Sequence, residues 1–567
     1  MVMKKHISIL TIAAAAFLCS CSLEEVPSSF VNGQNFYENA TQSDAALRGC
    51  YMPLANIYRA DFMFVTESCT DIWYSGSSTK DAILEVTPAK PQYGATVWRQ
   101  GYLGVVRCNE CIDCINAAKY PDEQRMPQQA EARVMRAMYY YILTCMFNGV
   151  PFYTNRIVTD EELLEVRNLP RTDASAIREA LYADLRDNAL PYFTEKNGLK
   201  TTPDKVDGNR AGYALCLMLM AKMAMWNEDW DGALLPLKQL EELYGDLTEA
   251  NYPLENTMWR YRNTPESIFE IQHDWSLTGV QYAGNVAAIM QPSHTVVDSS
   301  ATKKVYLYDG IEMPELGTEC TSWSSLKACN IYGIFRPAQG TTKTEATADQ
   351  YRNSLFDPLP LTYDDEYSSA DGRYYTKLDL EAIKRGTIRD KKIDRRVYLT
   401  FGLGNLETGA TFTTARRYGV AWAGPKFWCP GMVLANDSNN VKVFRYADAI
   451  LMMAECYCNL QNSDEAMRYL NMTRERAGVD PIDNFVGYEA LMVNIRSERA
   501  RELGGEFQRK FDLVRWGIWY EQTLGNNQSS NLKQRIKPCH RYYPIPETQC
   551  SLSNGHLTND EYYADGL

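Results

Sequence analysis

The sequence predicts a mainly α-helical chain: antiparallel helix pairs stacked into a solenoid, with a loop-rich irregular middle and few short strands. Three observations point there. Apolar residues recur at helical spacing through both ends of the chain. Regular periodicity fades from about Trp275 to Asn440, where Gly, Thr, Asp, Asn and aromatics dominate. Two distant segments repeat one helix–turn–helix grammar. Composition agrees with a globular protein: 45% hydrophobic and 23% charged over 567 residues, which excludes disorder, collagen and a multi-span membrane protein. A formal net charge of −13 repels phosphate backbones and disfavours a general nucleic-acid binder. The 37 Tyr against 18 Phe suggest rings at half-wet surfaces, where a hydroxyl finds a partner.

The first helix is expected over Thr41–Tyr58, with Thr41 as cap and Leu47, Tyr51, Leu54 and Tyr58 on one face. A second covers about Val97 to Ala118. A third covers Gln128 to Phe147, stopped by Asn148-Gly149-Val150-Pro151. Asp173 caps a fourth that runs to Pro191. Arg210–Trp226 and Asp229–Tyr244 follow, with Pro236 a distortion near the start of the latter. Ser267–Gln272 alternates like a strand. Helical pattern returns at Phe444–Leu460, Ser463–Arg476 and Tyr488–Leu503. The repeated grammar lies in Ala224–Ala233 and Tyr457–Ala466: a helix end, a polar turn, then a small Ala where a second helix crosses closely. It resembles the turn of a tetratricopeptide-type pair, and a generic αα-hairpin gives the same stacking.

The N-terminus reads as an address. Lys4 and Lys5 precede the apolar run Ile7–Leu18, which is too short to span a bilayer. Leu18-Cys19-Ser20-Cys21 resembles the bacterial lipobox, which implies cleavage before Cys21 and acylation of that cysteine. The acidic Ser22-Leu23-Glu24-Glu25 resembles the surface-export signal of Bacteroidetes lipoproteins. The expected layout is therefore a leader (1–20), a tether (21–36), an N-terminal helical region (37–274), a loop-rich ligand-facing region (275–442) and a C-terminal helical region (443–567). Residues 21–567 are expected to form one structural unit.

Most candidate chemistry dissolves on inspection. Cys108-x-x-Cys111-x-x-Cys114 has the look of a thiolate cluster, yet Val105, Ile112, Ile115 and Ala118 carry a helix through it. Helical spacing suits packing better than wrapping a metal. Asn227-x-Asp229-x-Asp231-Gly232 opens like a calcium loop, but Lys238 stands where the bidentate Glu belongs. Asp364-Asp365-Glu366 with Asp371 could bind calcium or serve as glycosidase carboxylates, but an acidic loop next to Gly372 needs no such role and is the favoured reading. No P-loop, His-Glu-x-x-His or Gly-x-Ser-x-Gly occurs. The expectation is a non-enzyme without cofactor or metal.

A series of ordered motifs then carries a resemblance. They are Glu131-Ala132-Arg133-x-x-Arg136-Ala137-x-Tyr139-Tyr140; Gly208-x-Arg210; Glu266-Ser267-Ile268-Phe269-Glu270; and Arg445-Tyr446-Ala447-Asp448-x-x-Leu451-Met452-x-Ala454-Glu455. Asn471-x-x-Arg474-x-Arg476-Ala477-Gly478, Glu498-Arg499-x-x-Glu502-Leu503, Arg509-x-x-Asp512-Leu513-x-Arg515-Trp516-Gly517 and Tyr543-Pro544-Ile545-Pro546 complete it. In that order, behind a lipobox, they resemble the SusD/RagB family of nutrient-binding outer-membrane lipoproteins. Phe507 after Glu506, and a tail reading Thr558-Asn559-Asp560-Glu561-Tyr562, depart from the family pattern. The charged signature residues read as scaffold, with Arg499–Glu502, Glu506–Arg509 and Asp512–Arg515 as i,i+3 braces.

The resemblance implies capture of an oligosaccharide, or a peptide in some members, without cleavage. It also implies delivery to a SusC-like TonB-dependent transporter in the outer membrane. A glycoside hydrolase is the less favoured alternative. Sugar recognition needs aromatic faces and polar groups that reach hydroxyls. The richest loop is Thr70–Gly76; His273-Asp274-Trp275, Tyr282, Cys320–Trp323 and Ala421–Trp428 follow. Trp73, Tyr74 and Trp323 are expected to stack on ligand, and Asp71 and Asn285 to bond hydroxyls. Trp275 and Tyr282 complete the candidate set. Trp98 and Trp516 are expected in the core.

Overall fold

The computed structural model describes residues 36–75, 86–193, 210–274, 284–290, 322–332, 366–368, 373–375, 387–388, 391–392, 394–400, 424–429 and 437–564. The leader, Cys21 and most of the expected loop-rich region lie outside them.

The first expected helix is two. Helix α1 (Ala40–Gly49) is capped by Asn39, not Thr41: the Asn39 Oδ1 accepts from the Gln42 N–H at 3.0 Å. A separate turn, Met52–Ile57, restarts with Pro53 in its first two positions. Proline has no N–H for the carbonyl four residues back, so a helix cannot run through Tyr51 unbroken but can begin again there.

Helices α2 (Tyr93–Ala117) and α3 (Asp122–Phe147) form the first long pair. Helix α3 begins six residues before the expected start and carries Pro127 inside it; Asp122 and Glu123 in its first turn suit the helix dipole. Two glycines let the pair approach. A Cβ on Gly104 would lie 2.3 Å from the Tyr139 ring, and one on Gly101 would lie 2.8 Å from Leu143. All three cysteines of the Cys108 series are buried on α2.

The stack continues through α4 (Ala174–Asn188), α5 (Tyr213–Trp226) and α6 (Trp230–Tyr244), each packed on its predecessor, with α3 against α4. Asp173 caps α4 through Ser175 and Ala176, and Asp229 caps α6 through Gly232, as the sequence predicts. Helix α6 runs through Pro236 as one helix. Helix α5 is buried along nearly its whole length, Lys222 included, because neighbours cover its faces. Among the described residues no helix is long and apolar enough to cross a membrane.

Helices α7 (Tyr446–Asn459), α8 (Ser463–Arg476) and α9 (Tyr488–Leu503) close the array. Helix α7 packs on α6 although some 200 residues separate them, so the middle of the chain is an excursion from one continuous stack. Both alanines of the repeated grammar, Ala233 and Ala466, are fully buried at their crossings. Two antiparallel ladders tie the excursion down: β1 (Trp73–Ser75) with β3 (Ser322–Ser324), and β2 (Ser267–Ile271) with β4 (Val441–Arg445). Phe444 and Arg445, expected to open a helix, are the end of β4 opposite Phe269 and Ser267; the helix starts at Tyr446. Two smaller hairpins pair Glu366–Ser368 with Arg373–Tyr375 and Thr387–Ile388 with Lys391–Lys392.

The signature charges are buried where the array meets the excursion. Arg445 bonds Glu266 and Glu502 at 2.7 Å and Glu506 at 2.8 Å; Arg396 bonds Glu498 at 2.7 Å and Glu502 at 2.8 Å. Burial opposes ionisation of Glu502, but Arg476, Arg445 and Arg396 outweigh it and hold the carboxyl well below its ordinary range. Two of the three expected i,i+3 braces do not form. Arg499 turns to Asp448 at 3.0 Å and Asp512 at 2.8 Å, while Glu506 serves Arg445 and Lys426. Only Asp512–Arg515 stands, at 3.3 Å. A desolvated charge takes the partner that surrounds it best, and tertiary neighbours do that better than the next turn of one helix.

Candidate functional site

The site is built on the segment after the π-helical turn Phe64–Ser68. Glu67 in that turn accepts from the backbone N–H groups of Gln508 (2.9 Å), Gly505 and Arg509 (both 3.3 Å). Burial pushes its carboxyl up to about 7, against the pull of those N–H groups. The following turn is clamped from the C-terminal region. Asn527 Nδ2 donates to the carbonyls of Thr70 (2.8 Å), Trp73 (3.0 Å) and Ser68 (3.1 Å), and Trp519 Nε1 donates to Cys69 O at 2.9 Å. A loop held this way loses little entropy when a ligand arrives.

Asp71 is part of the clamp. It is fully buried, and Arg509 forks onto it at 2.9 and 2.7 Å while Lys327 reaches Oδ2 at 2.7 Å. Burial would raise its pKa; Arg509 and Lys327 outweigh that and lower it to about 2. Both carboxylate oxygens are committed, so the expected contact of Asp71 with a hydroxyl is replaced by a bracing role. Ser325 finishes the joint: its Oγ donates to Asp71 O at 2.6 Å and its N–H to Ile72 O at 2.9 Å.

Strand β1 alternates buried, half-buried, buried. Period two turns Trp73 and Ser75 inward and Tyr74 outward. Trp73 is fully buried and packs in the core, which corrects its expected stacking role. Tyr74 stays on the open face and pairs directly with Trp323 of β3. The structure thus brings two of the three expected stacking residues to one rung of one ladder; of Trp323 only the backbone is described.

Asn285 sits elsewhere. Its Oδ1 accepts from the Ala60 N–H at 2.9 Å, so half of its amide is committed to the fold. Beside it Gly284 exchanges backbone bonds with Asp437 at 2.8 and 3.0 Å, and the buried Asp437 carboxylate accepts from Ala287 (3.2 Å) and Asn439 (3.0 Å). Burial pushes that carboxyl up to about 6. His273 is buried too. Its Nδ1 lies 3.0 Å from the Asn439 carbonyl, which can only accept, so Nδ1 carries the proton; burial pulls the ring down to about 4. Trp275 and Tyr282 lie outside the described residues. Phe427 and Trp428, at the end of one expected loop, are fully buried. Trp98 is buried as expected; Trp516 is half-buried, with its Nε1 on Glu455 at 2.7 Å.

Sequence reasoning missed the residues that hold this platform: Lys327, Ser325, Trp519 and Asn527. None lies near Asp71 in the chain, and no spacing could have revealed them. Arg509 stood in a quoted motif, but as a partner for Glu506.

Comparison with known proteins follows the same lines. Residues 433–563 match the SusD family model, and residues 37–189 match a SusD-like family described as starch-binding, associating with the outer membrane. The chain is 24% identical over 586 aligned positions to SusD-like protein P25 of Formosa agariphila, covering 96% of each chain. A SusD superfamily protein from Bacteroides vulgatus shares the fold with a TM-score of 0.65 at 15% identity, over 92% of this chain and 99% of that one. Surface glycan-binding protein A from Bacteroides thetaiotaomicron, solved in complex with laminarihexaose, shares it at 0.56 and 19% identity, over 91% of this chain and 98% of that one. With both ends matched, the helix-pair array in place and the signature charges paired in several ion-pair clusters, most of them buried, the chain belongs to the SusD/RagB family.

Proposed function

We propose that this protein captures an oligosaccharide at the cell surface without cleaving it and delivers it to a SusC-like TonB-dependent transporter. The observation that carries the reading is the Tyr74–Trp323 rung, a pair of aromatic positions on a platform braced from beneath by Asp71, Arg509 and Asn527. A flat ring on a rigid support suits the apolar face of a pyranose. Laminarihexaose is bound by one fold relative, which supports a glucan as the first ligand to test. Asp71, Asp448, Glu455 and Glu498 are buried against Arg or Lys, an arrangement that suits bracing better than the solvent-facing acid and base of a glycosidase.

The anchoring part of the proposal rests on Cys21. Cys21→Ala should move the protein from the membrane fraction to the soluble one; retention in the membrane would remove the lipid tether from the reading.

Calorimetry of the form beginning after Cys21, against a panel of oligosaccharides and peptides, tests the function. Saturable glycan binding with no new reducing ends supports it. Released sugar would make the protein a hydrolase, and binding of peptides alone would make it a peptide receptor.

A further inference from the structure

The fold brings Cys50, at the C-terminal cap of α1, against the Cys108 series on α2. The Cys50 and Cys111 sulfurs are 3.6 Å apart across 61 residues of sequence, and both are buried. The Tyr37 hydroxyl also lies 3.6 Å from Cys111, and Cys108 is the third thiol of the group. Two thiols at van der Waals contact need to close to about 2.05 Å to bond. Cys50 can make that move more readily than a mid-helix residue, because it lies at the break between α1 and the Met52–Ile57 turn.

We propose that Cys50 and Cys111 form a disulfide as the chain folds outside the cytoplasm, locking α1 to α2. The step is thiol–disulfide exchange with a donor disulfide, small or carried by an oxidoreductase. The Cys50 thiolate attacks one donor sulfur and releases the first donor thiolate. The Cys111 thiolate then attacks the Cys50 sulfur of the mixed disulfide and releases the second. The two protons lost by the cysteines end on the two donor thiols, so the protein is oxidised by two electrons and the donor reduced by two. The closed loop holds the whole segment from Tyr51 to Glu110, including β1 with Tyr74.

Timing follows from burial. In the folded, reduced protein, contact with Cys50 and then burial push the Cys111 thiol up, and contact with Cys108 helps push up that of Cys50. Little thiolate exists there to start exchange. The bond therefore forms before the two helices close over it, and once formed it is shielded from reductants.

The test is to refold the full chain beginning after Cys21 in a mixture of reduced and oxidised glutathione, alkylate it in denaturant without reduction, and map its peptides. Expected is a linked pair of peptides bearing Cys50 and Cys111, a higher Tm than for protein refolded in reductant, and loss of that Tm difference in Cys50→Ala and Cys111→Ala but not in Cys108→Ala. Folded, reduced protein given the same mixture should acquire the link far more slowly. Full alkylation of Cys50 and Cys111 after oxidative refolding, or a link from either to Cys108, overturns the proposal. Should the alanine variants fail to fold, the wild-type peptide map decides alone. Glycan binding is not read in this experiment, so its outcome is independent of the proposed function.

Discussion

Arg509 and Asp71, 438 residues apart in sequence, meet as a two-pronged ion pair at 2.9 and 2.7 Å with both side chains buried. The pair joins the start of the C-terminal helix Arg509–Arg515 to the loop that presents Tyr74. It makes the C-terminal region part of the support beneath the candidate site.

Removing one charge of that pair strands the other. Asp71→Asn leaves Arg509 buried against a neutral group and should cost about 3–5 kcal/mol of stability by urea unfolding. Replacing both at once, Asp71→Leu with Arg509→Met, should cost clearly less than the two single changes added together. Additive losses would mean the two side chains act independently.

Tyr74→Ala should lower glycan affinity roughly tenfold, the worth of one aromatic face, while Tm changes little because the ring is half-exposed. Trp73→Ala should do the reverse first: a fully buried indole lost from the core costs about 3–5 kcal/mol. Calorimetry and thermal melts on both variants separate the two roles. Equal effects on binding and melting in both would contradict the alternation of β1.

Acid should weaken the fold in a defined window. Asp71, Asp448 and Glu498 are each held at about 2 by neighbouring cations that outweigh burial, below their ordinary values of 3.8 to 4.5. A depressed carboxyl contributes stability that is complete above its unfolded pKa and lost as pH falls through the folded one. Tm should therefore drop steeply between about pH 4.5 and pH 2. Glu67 has the opposite sign: raised from 4.5 to about 7, it takes stability away as pH climbs through that interval. Glu67→Gln should gain on the wild type by up to about 3 kcal/mol between pH 4.5 and pH 8. A pH-independent difference would show that Glu67 titrates normally.

Gly104→Ala places a methyl group 2.3 Å from the Tyr139 ring, and that ring is fully buried. The α2–α3 pair must spread or the ring must shift, at about 1–3 kcal/mol. The double change Gly104→Ala with Tyr139→Leu should recover part of the loss in a thermal melt.

The helices were legible because each carries its own signal. Ser463–Arg476 and Tyr488–Leu503 match residue for residue, and Asp173 and Asp229 announce their helix starts by chemistry that acts within one turn. The break at Pro53 and the extended ending of β4 were less legible: one needed the weight of a proline inside a good pattern, the other a partner strand some 175 residues away.

By itself, then, the sequence determined the helix-pair array, its family and the aromatic-rich loop, because periodicity, caps and motif order are local or additive properties. Only the tertiary structure decided what that loop does with its residues. Trp73 and Tyr74 are neighbours of similar chemistry, and the pleat sends one into the core and the other to the open face. Asp71 has the composition of a ligand contact and the surroundings of a brace, since Arg509 and Lys327 reach it from distant segments. A carboxylate takes its role from the charges that surround it when water is excluded, and those charges are assembled by the fold rather than by their order along the chain.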